Sequence, residues 1–400
     1  MFHPKNPVFN FAKNPKIIFG EGSFEQLTDI IKQFGKRILI ITGSFSFRQT
    51  KTWDNLESVL NKDNVVFDII SISGEPSPER VDEAVNRFRR EKIEVVLAIG
   101  GGSVIDAGKA ISAMLTKNCS VFEYLEGVGT GKIHDGRKIP LVAVPTTAGT
   151  GSEATKNAVL SRIGEKGFKK SLRHENFVPD IALIDPILML SCPPEITAAA
   201  GMDAFTQLLE GYVSPKSSPM TDVLAYCGME YISGNLTEVY ISGQENIPAR
   251  SAMAFAALLS GITLANAGLG IVHGLASSIG GYFEIPHGVI CGTLISSATR
   301  ENINVLIKQK DSESILALNK YARVGQLLSN AEYSDGESAC NALIRQLEKW
   351  TTFLNLPLLS NYGVRKKHLD KIVKNSGNKN NPVKLKPHQI KNILLTRIRE

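Results

Sequence analysis

The chain has 400 residues, 43% hydrophobic and 21% charged, with a formal net charge of +6, the composition of a globular protein with room for two cores. Five cysteines (Cys119, Cys192, Cys227, Cys291 and Cys340) with no C-x-x-C pair exclude a disulfide framework and a zinc finger, and they suit a reducing, cytoplasmic compartment. The opening MFHPKNPVFNFAKNPK lacks the apolar core of an export signal.

From Lys36 the chain alternates. RILIIT and VVFDIIS have the pattern of strands, PERVDEAVNRFRR of an amphipathic helix, EVVLAIG of a strand and SVIDAGKAISAML of a helix. Such alternation predicts parallel strands joined by helical crossovers, and IPLVAV and IALID extend the sheet. Beyond Asp185 and Pro186 the strand signals stop and helical patterns run to the end. A boundary near residue 188 is expected, with an α/β domain over 1–188 and an all-helical domain over 189–400 packed around a cleft. Ser251 to Phe283 holds no charged residue, a length that would permit a membrane span. Its glycines and small residues, with Asn266 and His273, indicate a buried helix pair carrying a site instead, so no membrane is expected. Residues 361–400 carry eleven Lys or Arg against Asp370 and Glu400. Without aromatic interleaving or a groove-reading motif, this tail reads as a solvated helical face, and no nucleic acid is expected.

Three motifs could carry chemistry. AIGGGSVIDAGKA puts Gly100, Gly101 and Gly102 between a strand and a helix, a turn in which backbone N–H groups reach a pyrophosphate unobstructed by a Cβ. It is not the G-x-G-x-x-G spacing, and Asp106, three residues after Ser103, has the place of a capping-box partner. VPTTAGTGSEAT gathers Thr146, Thr147, Thr150 and Ser152 after another strand; it is either a polar loop into a capped helix or a holder of phosphate, ribose or carboxamide. Two such loops at strand ends support one another, because open parallel sheets bind ligands there. GMDAFTQLLEGY and GIVHGLASSIGGYFEIPHG supply Asp203 on a helix, then His273 and His287 fourteen residues apart in uncharged surroundings. They are either satisfied core residues or three ligands of a catalytic cation with a position left for substrate.

Taken in order, GGGSVIDAGKA, PTTAGTGSEAT, IALIDP, GMDAFTQLLEGYVS and GLGIVHGLASSIGGYFEIPHG resemble the landmarks of the iron-containing, or group III, alcohol dehydrogenases over roughly residues 15–300. The opening PKIIFGEGS resembles that family's first strands, and GNKNNPVKL the tail of one branch. The resemblance implies a Rossmann-like α/β domain and a helical metal domain in a dehydroquinate synthase-like architecture. It further implies reversible hydride transfer in the cleft between NAD(P) and a small alcohol or aldehyde, with iron or zinc as the divalent metal; a homodimer is expected. It carries the pyrophosphate contact to Gly101, Gly102 and Ser103, with Gly100 and Asp106 beside them. Nicotinamide and ribose contacts fall to Thr146, Thr147, Thr150 and Ser152, with Lys169 or Lys170 further along. Asp203, His273 and His287 match three of the family's four metal ligands, and all three are expected to be catalytic.

The fourth ligand, usually a histidine one turn after the aspartate, is Gln207 here, a neutral and weaker donor. A second histidine that many members carry four residues after the first helix ligand is Ser277. Where NAD-specific relatives carry an acidic residue after the first cofactor-domain strand, this chain has Gly43, followed by Ser44, Ser46 and Arg48. Arg48 or Lys51 is placed to pair with the extra phosphate of NADP. The departures leave as alternatives a metal-free reductase of an acidic carbonyl compound, similar to maleylacetate reductases, or an inactive nucleotide-binding homologue. Glycerol dehydrogenases are a further rival on the same architecture. Lys169, Lys170, Arg173 and His174 form a basic cluster that either greets an acidic aldehyde or is solvated surface.

Overall fold

The computed structural model describes residues 8–399; the first seven residues of the opening segment, and Glu400 of the basic tail, lie outside the described residues. Two compact units emerge. One comprises residues 12–162 and 169–192, and the other the described residues 8–11, 163–168 and 193–399.

The first unit is built on six strands: β1 (Lys16–Phe19), β2 (Arg37–Gly43), β3 (Val66–Ile72), β4 (Val95–Gly100), β5 (Leu141–Pro145) and β8 (Ile181–Ile184). They run in the order β1-β8-β5-β4-β2-β3, and every pairing is parallel. Strands covered on both faces need unbroken apolar runs, and VVLAIG and LVAVP are buried at every residue. The crossovers include α1 (Leu27–Lys32), α2 (Lys51–Lys62), α3 (Pro78–Phe88) and α4 (Gly102–Met114). Thr50 caps α2 by accepting from the Trp53 N–H, and Ser77 caps α3 by accepting from Arg80, with Pro78 fixing the first turn. Chain order reverses between β2 and β4, because β3 lies outside β2 on one side and β5, β8 and β1 lie beyond β4 on the other. Open parallel sheets take their ligand at the carboxyl ends of the strands flanking such a reversal. Gly43 and the Gly100–Gly102 turn stand at those ends.

Two details depart from expectation. Between β5 and β8 the chain forms a second, two-stranded sheet, β6 (Asn157–Arg162) with β7 (Phe168–Arg173). Asp106 completes no capping box, since α4 is preceded by Gly101 at its N-cap, with no side-chain cap.

The other unit is helical: α5 (Pro194–Val213), α6 (Pro219–Ser242), α7 (Ile247–Ala267), α8 (Ile271–Tyr282), α9 (His287–Gln309), α10 (Ser312–Ser329), α11 (Gly336–Phe353), α12 (Leu369–Asn375) and α13 (Pro387–Leu395). Helix α5 packs against α6, α7 and α9. Among the described residues α7 alone is long and apolar enough to cross a bilayer, yet 67% of that apolar window is buried inside the protein, the signature of a core helix. Close approach fixes the start of α9: a Cβ on Gly288 would lie 2.3 Å from the Ala199 carbonyl oxygen. Only glycine lets the turn carrying His287 come so near the helix carrying Asp203. The basic tail returns to this core, with Asn381 Oδ1 accepting from the Ile271 N–H at the head of α8.

Candidate functional site

In the first unit, β4 and β5 are neighbours in register, Gly100 opposite Pro145, so the two polar loops leave the sheet side by side. The Thr146 N–H donates to the Gly100 carbonyl at 3.0 Å. A Cβ on Gly101 would stand 3.3 Å from Thr147 Oγ1, and one on Gly102 only 2.5 Å from Thr150 Cγ2. The first N–H groups of a helix have no intrahelical partner, and α4 has no side-chain cap. Together these features suit the anionic diphosphate of a dinucleotide.

Not every residue expected to touch a cofactor is free to do so. Asp106 Oδ1 accepts from Ser152 Oγ at 2.5 Å and pairs with Lys109 Nζ at 2.9 Å, while Oδ2 accepts from the Val159 N–H at 3.1 Å. Lys109, buried within α4, also donates to the Ser152 carbonyl and to Thr155 Oγ1, each at 3.0 Å. Asp106 and Ser152 thus bolt the second loop onto α4. Burial pushes the Lys109 ammonium down, opposed by Asp106. Glu153 in the same loop is buried, and desolvation pushes its carboxyl up to about 7. Lys169 pairs with Glu75 at 2.8 Å, and Arg173 with Asn157 Oδ1 at 2.7 Å and Glu126 at 3.3 Å, so these two members of the basic cluster already have partners. At the end of β2 nothing lies within 4 Å of where a Cβ on Gly43 would be. Ser44 is half-buried nearby, and exposed Arg48 lies over the Trp53 ring at 5.6 Å.

In the helical unit Asp203 on α5, His273 on α8 and His287 on α9 converge. His273 Nε2 is 3.2 Å and His287 Nε2 3.8 Å from Asp203 Oδ1. A further donor joins them: Cys291 Sγ lies 3.6 Å from His273 Nε2 and 3.7 Å from His287 Nε2. One ligand atom from each of these four side chains lies within 4.8 Å of all the others. Bonds of about 2.0–2.3 Å to a tetrahedral metal would separate neighbouring donors by about 3.3–3.6 Å, close to what is found. The charges fit a cation as well, since Asp203 and Glu210, both buried, face the histidines, and buried charge demands a counter-charge. Glu210 Oε2 is 2.7 Å from His273 Nδ1, and its Oε1 accepts from the Val272 N–H at 2.7 Å. With Nδ1 donating to Glu210, Nε2 keeps its lone pair toward the cluster. Burial alone would raise the Asp203 carboxyl, but His287 and His273 hold it down to about 2. Burial would lower His273, but Cys291, Asp203 and Glu210 raise it well above the usual histidine range. Burial is the main force lifting the Cys291 thiol to about 12.

Gln207, expected as the fourth ligand, is occupied differently. Its Oε1 accepts from Ser260 Oγ at 3.0 Å, and its Nε2 faces Asp203 Oδ2 at 3.5 Å. Its amide nitrogen thus meets the second oxygen of the aspartate. Ser277 is half-buried, one turn along α8 from His273. Cys291 and Glu210 escaped the sequence reading, although each has a helical spacing that would reveal it, four residues after His287 and seven after Asp203.

Comparison with known proteins places the chain in a family. Residues 14–186 match the family model "Iron-containing alcohol dehydrogenase", and residues 197–398 match the C-terminal model of the Fe-containing alcohol dehydrogenase family. Alcohol dehydrogenase 4 of Saccharomyces cerevisiae is 35% identical over 303 residues, covering 74% of this chain and 76% of its own. An NAD-dependent methanol dehydrogenase of Bacillus methanolicus is 29% identical over 370 residues, covering 92% and 93%. The solved alcohol dehydrogenase of Oenococcus oeni superposes with a TM-score of 0.85 at 28% identity, covering 98% of this chain and all of that one.

Proposed function

The chain belongs to the iron-containing alcohol dehydrogenase family and is an NAD-linked alcohol dehydrogenase, and on that premise we propose a metal-dependent reaction between a short, uncharged alcohol and its aldehyde. The observation that carries this reading is the convergence of Asp203, His273 and His287 in a chain of this family. A metal-free reductase would have no use for such a cluster.

Bound there, iron or zinc would supply Lewis acidity, easing loss of the alcohol's proton and polarising the carbonyl in reverse. The protein does the rest. Asp203 contributes a full negative charge from a buried position, and Glu210 fixes the tautomer and aim of His273. Gln207 steadies the second oxygen of Asp203. The Gly100–Gly102 turn, the head of α4 and the Thr146–Thr150 loop hold the dinucleotide, while Asp106, Ser152 and Lys109 keep that loop in place. A neutral substrate is favoured because Lys169 and Arg173 are spent on Glu75 and Glu126, and because a methanol dehydrogenase is among the relatives. NADP is accepted besides NAD, since Gly43 offers room and no carboxylate where a 2′-phosphate would lie. Free cysteines throughout the chain suit a reducing compartment such as the cytoplasm.

Oxidation of NADH and NADPH should be followed with short neutral aldehydes and with acidic aldehydes of equal length. Turnover of the neutral set with either cofactor is expected. A clear preference for acidic substrates would contradict the proposed substrate class. An efficiency with NADH tenfold or more above that with NADPH would contradict the cofactor reading.

A further inference from the structure

We infer that Cys291 is a metal ligand, so that the centre is an Asp-His-His-Cys set in which a thiolate takes the place that the Gln207 amide leaves open. The inference rests on the proposed metal-dependent reading and adds a donor to it. The geometry comes first. Cys291 follows His287 by one turn of α9, so both side chains leave the same face of the helix. Its sulfur stands 3.6 and 3.7 Å from the two imidazole Nε2 atoms, the spacing expected of S and N donors on one tetrahedral ion. Asp203 Oδ1 occupies a third corner, 3.2 Å from His273 Nε2.

The alternative fourth ligand turns the wrong end toward the aspartate. The nitrogen of the Gln207 amide, which cannot bind a cation, faces Asp203, while its oxygen accepts from Ser260. Gln207 and Cys291 thus divide the labour, the amide holding the aspartate in place and the sulfur completing the donor set. Chemistry points the same way. A thiolate is a stronger donor to zinc than a neutral amide oxygen, so Cys291 completes the set better than Gln207 would. On binding, the thiol proton passes to solvent and the S–metal bond replaces the S–H bond. A sulfur donor also shifts selectivity toward zinc over ferrous iron, because thiolate is the softer ligand. Zinc held by these four side chains would admit substrate by expanding its coordination.

Cobalt(II) is the probe. It occupies zinc sites, and a thiolate bound to it gives a charge-transfer band in the near ultraviolet that oxygen and nitrogen ligands do not. Metal-stripped protein should be titrated with cobalt, and the same done for Cys291→Ser, Gln207→Ala and, as a cysteine control, Cys340→Ser. The expected result is one equivalent bound with the band in wild type, Gln207→Ala and Cys340→Ser. Cys291→Ser should lack the band and bind zinc at least 10-fold more weakly, the low end of the effect of disturbing even an indirect ligand. Should Cys291→Ser fail to fold, wild-type protein suffices: X-ray absorption of the zinc-loaded protein should show one sulfur neighbour at about 2.3 Å. Cobalt bound by wild type without the band, an unchanged band in Cys291→Ser, or a zinc spectrum with no sulfur neighbour would overturn the assignment while leaving the metal-dependent reading intact. Failure of wild type to bind cobalt or zinc at all would overturn that reading, and the assignment with it.

Discussion

Glu210 is not itself a metal ligand, yet it should control how tightly the metal is held. Its carboxylate is buried, accepts from the Val272 N–H and lies 2.7 Å from His273 Nδ1. Glu210→Gln preserves volume and one acceptor but removes the charge. A hydrogen bond to an ionised group is worth roughly 1.5–3 kcal/mol against about 1 for a neutral one. The loss of about 1.5 kcal/mol translates into a metal dissociation constant roughly 10-fold weaker, within the 10 to 100-fold range for partners of a ligating histidine. Competition with a chelator at one pH measures it, with circular dichroism to show that the fold survives and the exposed Glu348→Gln as control. A constant within threefold of wild type would mean that the Glu210 charge does not bear on His273, and the role given to this pair would fall.

Metal affinity should also climb steeply with pH. His273 holds its proton above the usual range and Cys291 holds its own to about 12. Binding between pH 6 and 8 must therefore displace at least one proton from this pair, giving a slope of about one decade per pH unit or more; affinity indifferent to pH would remove Cys291 from the set. Glu153 supplies a stability test. Its folded-state carboxyl titrates near 7 against 4.5 for the ordinary group, so its contribution is fully present below about 4.5 and is lost as pH rises to 7. Glu153→Gln should be more stable than wild type at pH 8 by about 2–3 kcal/mol and equal to it at pH 4, measured by urea unfolding. Equal stability at both pH values would contradict the burial argument. In the cofactor turn, Gly102→Ala forces a Cβ to 2.5 Å from Thr150 and should weaken NADH binding about tenfold or more, with partial recovery in Gly102→Ala/Thr150→Gly. Unaltered binding by fluorescence titration would move the cofactor away from this loop pair.

The sheet was legible because its strands are unbroken apolar runs separated by an amphipathic helix, SVIDAGKAISAML and turn residues, a pattern with one parallel solution. The β6–β7 pair was not, because FKKSLR mixes buried Phe168 and Leu172 with Lys169, Lys170 and Arg173 and alternates too weakly to stand out. Asp203, His273 and His287 were visible as polar residues in apolar stretches. Cys291 was hidden by its chemistry, since a single cysteine in an apolar helix looks like a small core residue until tertiary packing sets it between two imidazoles. Glu210 lay in plain view on the Asp203 helix, but its partner is 63 residues away. The orientation of Gln207 was hidden for the complementary reason: spacing of four residues gives a common face, not a common target, and Ser260, 53 residues on, donates to its amide oxygen. Asp106 likewise had the spacing of a cap, while Ser152 and Lys109 claim its carboxylate.

The claim that the helical unit holds a catalytic metal is tested most directly by removing it. Protein stripped with a chelator and shown by elemental analysis to be metal-free should bind NADH normally yet lose reduction of a short aldehyde by at least 100-fold, the scale on which loss of an essential electrostatic stabiliser is felt. One equivalent of zinc or ferrous iron should restore turnover in wild type but not in His273→Ala. Full turnover by the metal-free protein would contradict the account.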